Sequence, residues 1–523
     1  MAEVAHIAAA SGPETTGPSA HRTNPRRRLR SGRGDKFFKL PAWAWGVFLL
    51  LAAGGYFTAN PVLTAFAILL VPVFIELLWL EGEPPAMLFA CGMQWLQGSI
   101  AIFYTDWHRL SLDGIFGGPQ LARATWLSLI AVFVLAVGMR LMQFGRSSRV
   151  GAAIRDESRG LQIPTLFMWY LVAFVVFSFV EAMAARIPAL QQALLAAATI
   201  RWVLVFLLAA AVLVQRRYYL LLGTLILIEF VTGIMGFFAG FKGVFFVLLV
   251  ALPLAYQWWK GWRLVQLIAV GMVVMALSVV WSVVKGEYRE FLNQGSGQQE
   301  VVVPVGQRAE KLAELVGKLD WASLDEGFDT LVIRVSYVKF FAMTLMNVPE
   351  NVPHERGALW LGAVKHVLTP RILFPNKPAL DDSERTVRYT GIQVAGTEQG
   401  TSIGIGYVGE SYIDFGYVGM FAPIFVLGMF YGWIYRHFVQ VQKIRLMGCA
   451  LATVILIFGA FNLETSNIKL VGGNLMSFIV MGLFAKFAAP AMWTALTVAT
   501  RRKQPRRPVA AGPVPSDAGD HVR

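Results

Sequence analysis

Apolar residues fall in runs of nearly twenty along most of the chain, broken by short polar connections. Wound as a helix at about 1.5 Å per residue, each run matches the thickness of a bilayer core. The runs predict spans at 41–58, 61–80, 84–104, 122–142, 163–183, 197–215, 218–237, 243–257, 264–284, 418–437, 447–464 and 475–497. The expected fold is therefore an all-α polytopic membrane protein with about twelve transmembrane helices. One hydrophilic stretch, 285–417, is too long for a passive connection. Within it, 306–321 has helix-forming composition with Leu312, Leu315 and Leu319 at helical spacing, and 330–346 is apolar enough to lie on the bilayer surface. Residues 358–368 predict a third helix, interrupted by Pro370, and the Pro-, Gly-, Asp- and Arg-rich stretch from Pro370 to Gly400 reads as irregular.

Composition excludes a water-soluble reading of the 523 residues: 56% are hydrophobic and only 15% charged, against about 25% charged in an ordinary soluble domain. The net charge of +14 raises the question of where the basic excess sits. The 285–417 stretch holds 13 Lys and Arg against 17 Asp and Glu, so the excess lies in the tails and the short connections. Arg26, Arg27, Arg28, Arg30, Arg33, Lys36 and Lys39 precede the first span, Arg501, Arg502, Lys503, Arg506 and Arg507 follow the last, and Arg146, Arg149, Arg155 and Arg159 follow the fourth. Arg216, Arg217, Lys260, Arg263, Arg436, Lys443 and Arg445 continue the alternation. Positive charge marks the cytoplasmic side, so both termini are expected inside and 285–417 outside. The basic excess is then a topology signal, and no nucleic-acid partner is expected.

The domain reading that results is a disordered basic tail at 1–40, nine helices over 41–284, an extracytoplasmic loop domain over 285–417, three helices over 418–497 and a basic disordered tail at 498–523. No cleavable signal peptide is apparent, because Met1 to Ser31 is polar and Arg-rich. The two cysteines, Cys91 and Cys449, lie inside apolar runs and support neither disulfides nor a Cys-based metal site. No pair among the seven histidines shows metal-ligand spacing. Neither a metal nor another cofactor is expected.

Three constellations could carry chemistry. Residues 369–389 present Arg371, Lys377, Arg385 and Arg388 with Asp381, Asp382 and Glu384 between them, on a proline-stiffened loop. Guanidinium groups offer two-point donors to phosphate or carboxylate, while a solvated loop of mutually paired ions is the alternative. Residues 400–419 carry Glu410 and Asp414 four apart, which on a helix share one face, with Tyr407, Tyr412 and Tyr417 nearby. Such a carboxylate serves either as a general base or as a group favouring a helix N-terminus. Gly404, Gly406 and Gly409 spell G-x-G-x-x-G without the strand–turn–helix unit that a dinucleotide site requires, and Ser466 to Lys469 spells S-x-x-K without its companion motifs. The third constellation is the turn 238–243, which bears Lys242; Arg201, Glu229 and Arg334 are further charges in or beside apolar runs, where burial is costly.

These patterns resemble the bacterial oligosaccharide repeat-unit polymerases of the Wzy type, which build O-antigen and exopolysaccharide. The resemblance rests on the Pro-Arg-x-x-aromatic-Pro-x-Lys-Pro segment from Pro370 to Pro378, the Gly-Glu-x-Tyr-x-Asp-Phe-Gly segment from Gly409 to Gly416, and the long outer loop between late spans. Lys242 stands where that family's Gly-x-Arg-Gly turn has Arg, and Asp414 where Asn is common. The resemblance implies block transfer of a growing glycan from undecaprenyl diphosphate to another lipid-linked repeat unit, on the outer side of a bacterial inner membrane. A leaving diphosphate needs fixed cations and the acceptor hydroxyl needs a base. The expected diphosphate and glycan contacts are Arg371, Lys377, Arg385, Arg388, Lys242, Arg334, Tyr412 and Asp414, with Glu410 as the base and His366 second. Expected partners are the lipid-linked oligosaccharide, membrane lipid, and a chain-length regulator and flippase of the same pathway. A ligase or other lipid-phosphate-sugar transferase, a flippase or transporter, and a non-catalytic assembly partner are the competing readings.

Overall fold

The computed structural model describes residues 37–501 except 115–117, 146–149, 239, 256–261, 300, 370–372, 375–376, 378–380 and 397–400. In chain order the first helices are α1 (Ala42–Gly55), α2 (Pro61–Leu78), α3 (Ala86–Trp107), α4 (Leu121–Leu141), α5 (Val150–Gly160), α6 (Ile163–Arg186) and α7 (Gln191–Ala198). There follow α8 (Ile200–Gln215), α9 (Tyr219–Ile234), α10 (Lys242–Ala255) and α11 (Trp262–Leu292). The long hydrophilic stretch holds α12 (Val305–Gly317), α13 (Trp321–Val335), α14 (Val338–Asn347), α15 (Ala358–Leu368), α16 (Asp382–Thr390) and α17 (Tyr407–Gly419). The chain closes with α18 (Phe421–Val441), α19 (Arg445–Gly459), α20 (Asn467–Leu483) and α21 (Ala489–Arg501). Among the described residues there is no strand, only an isolated bridge between Phe37 and Leu80.

Among the described residues, seven helical stretches are long and apolar enough to cross a membrane, or eight if the bent pair α17–α18 counts as one. The spans read at 41–58, 218–237, 243–257 and 447–464 fall on the shorter apolar helices α1, α9, α10 and α19, of 14 to 16 residues. Apolarity and burial are distributed unevenly. In α8 the residues from Trp202 to Leu213 are buried all round, as are those from Leu446 to Ile457 in α19, which places both helices at the centre of the bundle. By contrast α6 exposes Val172, Val175, Val176 and Phe179, and α11 exposes Ile268, Met272 and Met275, outward faces suited to lipid. Helices α4 and α18 approach most closely through glycine. A Cβ on Gly428 would sit 2.2 Å from the Leu135 carbonyl oxygen and one on Gly432 2.5 Å from that of Met139, so two small residues four apart let the backbones touch.

The hydrophilic stretch is mostly helical. The apolar segment 330–346 is not one helix but two, α13 and α14, broken at Ser336 and Tyr337. Residues 382–390, read as irregular, form α16. Asp381 caps it by accepting from the Ser383 and Glu384 amides, and Gly391 ends it at φ 75°. The 400–419 segment does not run straight into the following span either. The axes of α17 and α18 are bent by 118°, with Gly416 at φ 68° inside the last turn of α17, a conformation open to glycine. Residues 37–40, assigned to the N-terminal tail, lie against the end of α2, with the Phe38 amide donating to the Trp79 carbonyl at 3.0 Å. The rest of that tail, the residues after Arg501, and Arg146, Arg149 and Lys260 lie outside the described residues.

Candidate functional site

Between α11, α13, α14 and the start of α20 lies a cavity of about 980 Å³. Its charged lining is Lys285 from α11, Arg334 from the last turn of α13, Lys339 from α14, Asp382 at the start of α16, Glu464 from the α19–α20 connection and Lys469 from α20. Lys242, the first residue of α10, lies alongside, close enough for its charge to bear on Arg334 and Glu464. Five cations thus face two carboxylates, an excess that suits an anion.

The floor of the cavity is built by close backbone contact. Gly406 has φ 95°, and a Cβ there would lie 2.3 Å from the Leu463 carbonyl oxygen, so the chain before α17 rests on the α19–α20 connection only because residue 406 is glycine. One residue on, the Tyr407 amide donates to the Thr465 carbonyl at 2.9 Å. From the other side, α3 pins the same connection. Gln94 Nε2 donates to the Ala460 carbonyl at 2.7 Å, Gln97 Nε2 to that of Phe461 at 2.9 Å, and Gln97 Oε1 accepts from the Leu463 amide at 2.9 Å. The G-x-G-x-x-G spelling is in this respect a packing device.

Part of the charge is already paired. Lys469 Nζ lies 2.8 Å from Asp382 Oδ2 and donates to Ser402 Oγ at 2.9 Å, and Ser466 Oγ donates to the same Asp382 oxygen at 3.0 Å. These contacts join α16, the 401–404 segment and α20 into one wall. Among the described residues no hydrogen bond or ion pair takes up the Arg334 guanidinium, the Lys242 and Lys285 ammonium groups or the Glu464 carboxylate. Glu464 is open to the cavity yet deep among surrounding atoms. Burial pushes its carboxyl above the ordinary glutamate value, against the opposing pull of Arg334, Lys469 and Lys242. The Tyr337 hydroxyl, which donates to the Gly404 carbonyl at 2.6 Å, is pushed up by burial and by the Glu464 and Asp382 charges, and remains a donor.

The residues singled out in the sequence are distributed between this cavity and the surrounding fold. Arg334 lines the cavity and Lys242 adjoins it. Arg371 lies outside the described residues, as does most of the Pro370–Pro378 segment. Lys377 Nζ donates to the Thr369 carbonyl at 2.9 Å and to that of His366, satisfying the end of α15, on which His366 sits half-buried and away from the cavity lining. Arg388 pairs with Glu355 at 2.7 Å at the surface, and the Tyr389 hydroxyl donates to the same carboxylate. The buried Asp414 accepts from the Leu359 and Trp360 amides at 3.0 and 2.8 Å and so caps α15. Tyr412 is buried with its hydroxyl donating to the Val348 carbonyl at 2.9 Å. Glu410 is 1% exposed, and its Oε2 accepts from the Asn467 amide at 2.8 Å, which caps α20 rather than its own helix. Arg385 bears on Glu410 electrostatically, and its Nη1 is buried without a partner among the described residues.

Arg201 and Glu229 pair at 3.8 Å between α8 and α9, with the Tyr170 hydroxyl from α6 donating to Glu229 at 3.1 Å, so these apolar-run charges answer one another inside the bundle. Sequence reading missed Lys285, Lys339 and Glu464 as site residues and set Lys469 aside with the S-x-x-K spelling. Their one legible signal was charge at the edge of apolar runs, above all Glu464 in the short α19–α20 connection and Lys469 in the first turn of α20. Among the described residues no group of three or more His, Cys, Asp or Glu is placed to hold a metal ion.

A family model described as a domain of unknown function (DUF8712) matches residues 122–490, so the chain belongs to that family. Neither the curated proteins nor the solved structures contain a match to it.

Proposed function

We propose that the chain is a membrane-embedded glycosyltransferase that joins lipid-diphosphate-linked oligosaccharide repeat units by block transfer at the outer face of a bacterial inner membrane. On this reading the apolar helices amount to about twelve spans, both termini are cytoplasmic, and α12 to α17 lie in the periplasm with the cavity. The observation that carries it is the cavity itself: Arg334, Lys285 and Lys339, with Lys242 beside them, face an open volume next to the apolar helices α11 and α20. Cations gathered at one site stabilise the charge that develops on a departing diphosphate, and the neighbouring apolar faces suit its polyprenyl chain. The reaction draws on no nucleotide sugar. A chain-length regulator and a flippase belong to the same scheme as partners.

A ligase acting on finished glycan would release the same diphosphate, and a deletion strain separates the two. Surface lipid carrying a single repeat unit indicates lost polymerisation, whereas surface lipid carrying none indicates lost ligation or export. Within the polymerase, Arg334→Ala is expected to lower extension of purified lipid-linked repeat units by roughly 100-fold, the scale of losing one electrostatic stabiliser. Arg334→Lys should recover only part, because two-point donation is lost. Near-normal glycan length in Arg334→Ala cells at matched expression would count against the assignment.

A further inference from the structure

The step that the cations leave unprovided is removal of the acceptor's proton. Two carboxylates line the cavity, and they are placed differently. Asp382 is held by Lys469 and Ser466. Glu464 has no hydrogen bond or ion pair among the described residues and opens onto the cavity. Its backbone is nonetheless tightly fixed, since the Leu463 amide and the Phe461 and Thr465 carbonyls on either side of it are bound by Gln97 and Tyr407. A side chain without a partner on a pinned backbone has its root fixed at the cavity and its carboxylate free to meet something that enters. Glu410, the acid favoured from sequence, has the opposite setting, being enclosed and committed to the start of α20.

We propose that Glu464 is the catalytic proton acceptor of this protein, an assignment that rests on the transferase reading. The acceptor sugar's hydroxyl oxygen forms a bond to the donor's anomeric carbon, and the anomeric C–O bond to the diphosphate breaks with its electron pair leaving on the diphosphate. The hydroxyl proton passes to Glu464, which returns it to water before the next transfer. The groups facing Glu464 suit this cycle. Arg334 from α13, Lys242 from α10 and Lys469 from α20 favour its ionised form, while Tyr337 and Asp382 border the same space and Lys285 from α11 lines the cavity. Those cations oppose the effect of burial, which by itself disfavours the ionised carboxylate.

A simple counter-ion to the cations is the competing role, and the two part company in kinetics. In the full-length purified protein with lipid-linked repeat units, Glu464→Gln should lower kcat by roughly 100-fold or more while binding the diphosphate lipid as tightly as the parent or more tightly. Glu464→Asp should recover part of the rate, and the parent's acid limb in kcat against pH should be absent from the residual activity of Glu464→Gln. A kcat within a few-fold of the parent, or a change confined to KM, overturns the assignment and leaves the transferase reading standing. Failure of the parent itself to extend supplied repeat units overturns both.

Discussion

The two stretches richest in charge, residues 381–414 and the cavity rim, differ in what their charges touch. In the first, Asp381 caps α16, Asp414 caps α15, Glu410 caps α20 and Arg388 pairs with Glu355. In the second, Arg334, Lys285 and Glu464 face open volume with Lys242 beside them, and none of the four has a hydrogen bond or ion pair among the described residues. Charges answered inside the fold hold helices together, whereas those lining the cavity are left accessible to whatever enters it. Density of charge along the chain does not separate the two uses. Only the partners do.

The contact joining the two regions is where the largest effect is expected. Gly406→Ala forces a residue with Cβ to φ 95° with that Cβ 2.3 Å from the Leu463 oxygen. Strain and overpacking together should cost about 3–5 kcal/mol, read as a large fall in melting temperature in detergent and a loss of inserted protein. A variant melting with the parent would show that the 404–407 segment is free to move away, and the cavity floor with it.

A smaller effect tests the comparison itself. Glu410→Ala leaves the Asn467 amide buried without its acceptor and should cost about 1–3 kcal/mol of stability. Glu464→Ala removes no hydrogen bond seen in the fold and should cost no stability while abolishing transfer. Equal destabilisation by the two would erase the distinction between a structural acid and a reactive one.

What the sequence made legible was whatever depends on neighbours along the chain. Runs of bilayer length located α2, α3, α4 and α6 to within a few residues, and the helical spacing of Leu312, Leu315 and Leu319 pointed to α12, which ends at Gly317, short of Leu319. The bend before α18 was not legible, because a glycine at φ 68° has no local signature that separates Gly416 from the glycines around it. Helix α16 was hidden by the prolines and charges that flank it, although Asp381 three residues before Glu384 is a cap pattern. The site was the least legible part. Its wall depends on Lys469 reaching Asp382 across most of a hundred residues, and its reactive acid sits in a connection of a few residues between two apolar helices. The long loop stands out in the sequence because it holds many charges, and many of those that the structure describes are caps and pairs.

The smallest expected effect is the pH dependence of stability that Glu464 imposes. Burial raises its folded-state value above the ordinary 4.5, with Arg334, Lys469 and Lys242 opposing. The folded protein therefore holds this proton more firmly than the unfolded chain does. The stability contributed is fully present below about 4.5 and is lost as pH rises through the raised folded value. Glu464→Gln has no proton to lose, so its melting temperature should draw level with the parent in acid and rise above it toward neutral pH. The gap should be modest, because the carboxyl is open to the cavity and is screened by water there. Arg334→Ala removes a cation that favours ionisation, which should move the parent's decline to higher pH and deepen it. Parallel melting curves for parent and Glu464→Gln across this range would mean that Glu464 titrates as an ordinary surface acid, and the contrast with Glu410 would then rest on hydrogen bonding alone.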